Sequence, residues 1–292
     1  MLKGSFVALV TPFKKGEVDY SALESLIDFH LENGTHGILL LGTTGEAAAL
    51  ASDEREALLR FAINRIDGKT KVMIGTGTNN LRTTLRNTSR AKELGADYAL
   101  VLTPYYVKPT QAGMVEYFGH IASTVDMPIV IYNVPGRTGV NILPPAVVEI
   151  ARAHANVVGI KEASGNVVQA TQIVRDAPEG FSVMSGEDAL NFPLIAIGGM
   201  GTISVTANVV PKLMSEHIET ALSGDMKKAA EQHRHLQPLN SAMFIETNPI
   251  PAKESLAMMG MIENEFRLPM CNLQAANREA LAKVLRSYGL IK

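Results

Sequence analysis

At 292 residues the chain exceeds the roughly 250 residues of a single eight-fold β/α barrel and is short for two large domains. Hydrophobic residues make up 46% and charged residues 19%, an ordinary globular mixture with ample material for a core. A net charge of -2, with no block of like charge, argues against nucleic acid as a partner, so an anionic ligand must be held by local groups.

The single cysteine, Cys271, cannot form an intrachain disulfide, and such usage fits a reducing compartment. The opening MLKGSFVALVTPF has too short an apolar run for a signal peptide and is broken by Pro12. No stretch approaches ~20 uninterrupted apolar residues, so no membrane span is expected. A soluble cytoplasmic protein is the expectation.

In chain order, short Val-, Ile- and Leu-rich runs alternate with longer helical patterns. The runs are Ser5–Val10, Gly37–Leu41, Val72–Gly75, Tyr98–Leu102, Ile129–Tyr132, Val157–Ile160, Phe181–Met184 and Thr202–Val205. They show little polar alternation, which is how strands buried on both faces read. Between most of them lie segments such as Ser21–Glu32, Asp53–Ile66, Leu81–Leu94 and Asn166–Arg175, with apolar residues at three- and four-residue steps.

This alternation predicts a parallel (β/α)8 TIM barrel, with an open doubly wound sheet as the alternative. No G-x-G-x-x-G follows the first strand, which weighs against dinucleotide binding. The barrel is assigned to residues 1–223. Residues 224–292 read as a C-terminal helical extension packed on the barrel, with breaks at Pro238, Pro249, Pro251 and Pro269.

In such a barrel the working residues lie at the C-terminal ends of the strands and in the loops just after them. Lys161 ends the run Val157–Ile160 and is expected in the barrel mouth. Removal from water there favours the neutral amine, the nucleophile a carbonyl needs to form an imine. Lys71 precedes its strand and belongs to the opposite face. Gly42-Thr43-Thr44-Gly45 offers backbone N–H groups and two hydroxyls ahead of the next helix, an arrangement that binds carboxylate or phosphate. Tyr132, one strand from Lys161, is placed to move a proton at a bound carbonyl oxygen. Arg137, in a Pro-Gly-Arg-Thr-Gly loop, has the planar fork that suits a carboxylate.

Each of these has a plainer alternative. Lys161 reads equally as a solvated turn lysine beside Glu162, Tyr132 as a core tyrosine, Arg137 as a surface or intersubunit arginine, and the Gly-Thr-Thr-Gly tetrad as a capping turn. The histidines are dispersed and no H-x-x-x-H or Cys/His cluster occurs, so no metal site is expected. There is no G-x-S-x-G elbow and no Walker-type loop.

Taken together, five segments resemble the 4-hydroxy-tetrahydrodipicolinate synthase (dihydrodipicolinate synthase) family of pyruvate-dependent class I aldolases. They are Gly42–Glu46, Thr103–Tyr106, Tyr132–Gly139, Gly159–Glu162 and Asn248–Pro251, in the family's order. The resemblance implies a lyase that joins pyruvate to L-aspartate 4-semialdehyde in lysine and diaminopimelate biosynthesis. It implies an imine on Lys161, acid/base work by Tyr132, and a hydroxyl relay through Thr43 and Tyr106, with Tyr106 entering from a neighbouring subunit. Thr44 then binds the pyruvate carboxylate, Arg137 the semialdehyde carboxylate, and Gly186 and Ile203 line the pyruvate pocket. No cofactor is implied, and the assembly is a homotetramer of two tight dimers. Lysine-inhibited members carry histidine and an acidic side chain at positions matching Ser52, Arg55 and Thr83, while Asn79 and Tyr105 are retained. Weak or absent lysine inhibition is therefore expected.

Two other readings compete. N-acetylneuraminate lyase and 2-keto-3-deoxy-sugar-acid aldolases share the lysine and tyrosine, but generally lack arginine in the Pro-Gly-Arg-Thr-Gly loop. A non-catalytic keto-acid sensor would need no nucleophilic amine.

Overall fold

The computed structural model describes residues Met1–Lys292. In chain order, β1 (Gly4–Ala8) leads into a small hairpin, β2 (Phe13–Lys14) and β3 (Glu17–Val18), and then α1 (Tyr20–Glu32). Next come β4 (Gly37–Leu40), α2 (Ser52–Ile66), β5 (Lys71–Gly75), α3 (Leu81–Glu93), β6 (Tyr98–Leu102) and α4 (Gln111–Thr124). They are followed by β7 (Ile129–Asn133), a one-turn α5 (Pro135–Thr138), α6 (Pro144–Ala153), β8 (Val157–Glu162) and α7 (Val167–Asp176). The barrel is completed by β9 (Ser182–Ser185), α8 (Asn191–Ala196), β10 (Gly201–Ser204) and α9 (Pro211–Leu222).

The eight long strands are parallel, and β1 pairs with both β4 and β10, which closes the sheet. The expected (β/α)8 barrel is thus the observed fold. Closure removes both sheet edges.

Alternation along each strand divides the apolar side chains into two cores. Phe6, Leu39, Met73, Leu100, Val130 and Met184 fill the barrel interior. Ile38, Ile74, Ile129, Ile131 and Ile160 face outward, into the layer beneath the helices. The same parity sends Tyr132 inward with Val130 and turns Asn133 outward.

The barrel strands lie within a few residues of the expected runs. One difference matters: β8 extends through Glu162, so Lys161 belongs to the strand rather than to the loop after it. Its direction is therefore set by the sheet.

After α9 the chain forms α10 (Met226–Ala242), α11 (Ile250–Met258) and α12 (Ala275–Ser287), which pack on one another and against α9. Two expected breaks are corrected. Pro238 lies inside α10, on its exposed side, where a missing N–H donor is tolerated toward water. Pro251 occupies the first turn of α11, where proline initiates helices rather than ending them. No helix is long and apolar enough to cross a membrane.

The C-terminal segment is tied to the open end of the barrel. Glu265 accepts the N–H groups of Lys15 and Gly16 in the hairpin. Arg267 pairs with Glu54, donates to the carbonyls of Ala49 and Gly16, and lies over the Phe13 ring.

Candidate active site

A cavity of about 430 Å³ opens at the C-terminal ends of the barrel strands. Its wall includes Thr43, Thr44, Tyr132, Arg137, Lys161 and Gly186, six of the eight residues expected to react or bind substrate.

Lys161 is 5% exposed and Tyr132 8% exposed. They are register partners on β7 and β8, and the lysine Nζ lies 4.5 Å from the centre of the tyrosine ring. Lys161 is therefore not a solvated turn residue. Its neighbour Glu162 points the other way and accepts from Asn133 Nδ2 (3.0 Å), Gln169 Nε2 (3.1 Å) and the Ser164 N–H (2.7 Å). That buried carboxylate is fully occupied with fixing the ends of β7 and β8 and the start of α7. It leaves Lys161 without an acidic partner. Gly186 lies against the lysine stem: a Cβ there would stand 2.7 Å from Ala163 Cβ and 3.0 Å from Lys161 Cγ. Only glycine fits beside the lysine without displacing it.

The Gly42–Glu46 loop differs from expectation in one respect. It runs into a single 3₁₀ turn, Ala47–Ala49, and α2 begins only at Ser52, so no long helix terminus points at the cavity. The donors come from the turn itself. Gly45 and Glu46 donate to the carbonyls of Gly42 and Thr43, while the N–H groups of Thr43 and Thr44 have no backbone acceptor. Two adjacent free N–H groups form an anion-binding concavity without a helix dipole. Thr11 Oγ1 holds the loop from below by donating to the Gly45 carbonyl (2.7 Å).

Asn248, not expected to act at the site, joins its two sides. Its Nδ2 donates to Thr44 Oγ1 (2.9 Å), and its carbonyl accepts from Arg137 Nη2 (3.2 Å). The Thr44 hydroxyl, accepting there, keeps its own proton for another partner. Otherwise the Arg137 side chain is exposed.

A second unexpected element is a buried ion pair. Lys253, fully buried on α11, donates to Glu46 Oε1 (2.6 Å) and lies over the rings of Phe13 and Phe266. Burial lowers the affinity of its amine for a proton, and the Glu46 carboxylate opposes that effect. The pair fastens α11 to the loop that carries Thr43 and Thr44. Helix Ile250–Met258 is buried from Ile250 through Leu256, and a lysine on such a helix needs a partner.

Two expected residues lie elsewhere. Ile203 packs in the barrel interior with Tyr132 and Met184 and does not reach the cavity wall. Tyr106 is 86% exposed, has a left-handed backbone (φ 72°), and does not line the cavity of its own chain. Of the expected regulatory residues, Tyr105 and Arg55 reach the cavity wall, whereas Ser52, Asn79 and Thr83 do not. Arg55 donates to the carbonyls of Leu50 (3.2 Å) and Ala47 (2.5 Å). No three His, Cys, Asp or Glu side chains converge as metal ligands, and Cys271 is exposed.

A buried lysine in the mouth of a closed (β/α)8 barrel, with a tyrosine beside it and a free N–H turn opposite, defines a class of barrel equipped for amine nucleophilic chemistry. The model of the Dihydrodipicolinate synthetase family matches residues 1–288, and the chain belongs to that family. It is 49% identical to 4-hydroxy-tetrahydrodipicolinate synthase of Thermodesulfovibrio yellowstonii, covering 100% of both chains. The dihydrodipicolinate synthase structure from Thermotoga maritima superposes with a TM-score of 0.98 at 46% identity, covering 100% of both chains. The chloride-inhibited enzyme from Acinetobacter baumannii, complexed with pyruvate, superposes with a TM-score of 0.97 at 40% identity, again covering 100% of both.

Proposed function

We propose that the chain is a lyase that condenses pyruvate with L-aspartate 4-semialdehyde to 4-hydroxy-tetrahydrodipicolinate, a step of lysine and diaminopimelate synthesis. The observation that carries this reading is the burial of Lys161 against Tyr132 within the cavity of a chain from this family.

In this reading the Lys161 amine adds to the pyruvate ketone, and loss of water leaves an imine. A methyl proton then leaves, and the resulting enamine carbon bonds to the aldehyde carbon of the semialdehyde. The aldehyde oxygen takes up a proton as it becomes a hydroxyl. Tyr132, beside the amine, is the acid/base group for these transfers. The free N–H groups at Thr43 and Thr44, with the Thr44 hydroxyl, hold the pyruvate carboxylate. Arg137 holds the carboxylate of the acceptor. The acceptor's amine finally attacks the imine carbon, closes the ring and releases Lys161.

The lysine amine supplies the nucleophile that activates the ketone, so in this reading the reaction needs no metal or organic cofactor. Thr43 and Tyr106 extend the proton path to solvent, with Tyr106 supplied by a neighbouring subunit. Its exposure supports that assignment. The working form is a homotetramer of two dimers in the cytoplasm.

The test compares turnover of pyruvate plus aspartate semialdehyde with cleavage of N-acetylneuraminate. Condensation without cleavage supports the reading; the reverse assigns the sister activity.

A further inference from the structure

The cavity wall carries six charged side chains, and three are already committed. Glu46 is bound by Lys253 and by the Arg267 N–H. Arg55 is spent on two carbonyls, and Arg267 on Glu54 and the hairpin. That leaves Lys161, Arg137 with its single bond to a carbonyl, and Glu187.

Glu187 comes directly after the Gly186 that touches the lysine stem. Its backbone is fixed: Ser185 Oγ donates to the Glu187 carbonyl (2.8 Å), and the Glu187 N–H donates back to Ser185 Oγ (3.3 Å). Its carboxylate has no hydrogen-bond or ion-pair partner in the chain. The adjacent Asp188 is the contrast. It is buried and accepts the N–H groups of Val205 (2.9 Å) and Thr206 (2.8 Å). One acid of the pair ties the barrel together, while the other faces the cavity unpartnered.

We infer that Glu187 is a specificity-determining residue that binds the α-ammonium of the aldehyde acceptor while Arg137 binds its carboxylate. The inference rests on the condensation proposed above. The three uncommitted side chains then match three features of the reacting pair: a ketone for the Lys161 amine, a carboxylate for Arg137 and an ammonium for Glu187. Burial, and next the neighbouring Asp188, push the Glu187 carboxyl above the usual carboxylate range, while Lys161 pulls it back. A cation docked against it relieves that cost, so the group is poised for a positive partner.

The test uses Glu187→Gln and Glu187→Asp with two aldehydes, aspartate semialdehyde and 4-oxobutanoate, its analogue without the amino group. For Glu187→Gln, loss of a charge-assisted bond raises the KM for aspartate semialdehyde ~10–100-fold. The Ki of 4-oxobutanoate as a competitor and the KM for pyruvate stay within about twofold. Glu187→Asp recovers part of the lost affinity for the amino aldehyde alone. The inference is overturned if Glu187→Gln weakens both aldehydes equally, or weakens neither. If the unaltered protein does not turn over aspartate semialdehyde, the proposed reaction itself fails, whatever the variants do.

Discussion

Lys161 and Tyr132 are cross-strand partners, with the amine 4.5 Å from the ring centre. The two side chains project from neighbouring strands into one cavity because both occupy inward-facing positions. Their approach is thus a property of the barrel's register rather than of a flexible loop, and the chemistry inherits the rigidity of the sheet.

Tyr132→Phe keeps the ring that packs in the barrel interior and removes only the hydroxyl. The variant is expected to fold with unchanged thermal stability and still to form the pyruvate imine. Its kcat should fall ~10²–10⁴-fold, the usual contribution of a positioned acid or base. Steady-state rates beside thermal unfolding check this; a variant with full turnover removes Tyr132 from the reaction.

Lys253→Met leaves the Glu46 carboxylate buried without a countercharge, with only the Arg267 N–H donating to it. The expected cost is about 3–5 kcal/mol of stability, with a raised KM for pyruvate because the loop bearing Thr43 and Thr44 loses its anchor. Adding Glu46→Leu removes the stranded charge and should restore much of the stability. Denaturant unfolding of the single and double variants measures both effects. Equal stability of all three forms would show the pair to be energetically idle.

Acid sensitivity is expected from His30, which is fully buried and bonded through Nδ1 to Thr35 Oγ1 (3.0 Å). Burial lowers its pKa from 6.5 to about 3. Above pH 6.5 the imidazole is neutral both folded and unfolded, and contributes no pH dependence. As pH falls below 6.5, the unfolded chain takes up a proton that the folded chain refuses. Stability then declines by up to ~1.4 kcal/mol per pH unit from this group, until the folded form protonates near pH 3. His30→Asn keeps a polar partner for Thr35 but cannot titrate. Unfolding midpoints between pH 7 and pH 5 should show a shallower slope for the variant. Identical slopes would exclude His30 as the source.

Lysine regulation should be weak or absent. Thr83 offers no carboxylate to an ammonium, and Arg55 sets a fixed cation at the cavity wall. Without an acidic partner a bound lysine forgoes ~1.5–3 kcal/mol. A turnover assay in rising lysine is expected to show no half-inhibition below about 1 mM, a threshold consistent with that lost energy. Half-inhibition in the micromolar range would contradict this.

Much of this architecture was legible in the chain because buried parallel strands leave continuous apolar runs, and in a barrel the residues at the end of each run gather at one mouth. That rule places Lys161, Tyr132, Thr44 and Arg137 at the mouth, and all four line the cavity. Contacts between distant segments were not. Glu46 and Lys253 are 207 residues apart, and nothing local marks a helix lysine as buried. Asn248 was visible within a motif, but its bridge from Thr44 to Arg137 depends on how the C-terminal segment folds over the mouth. Glu187 and Asp188 are chemically alike in sequence, and only the direction of each side chain separates their roles. The missed distinction at Pro238 was one of exposure, since a proline on the wet side of a helix need not end it.

The central claim is a nucleophilic amine at Lys161, and reduction by borohydride in the presence of pyruvate tests it most directly. The expected result is one pyruvate-derived mass added per chain, located by peptide mapping at Lys161 and absent from a folded Lys161→Ala variant. A chain that turns over substrate but yields no adduct, or one labelled at another lysine, would contradict the account.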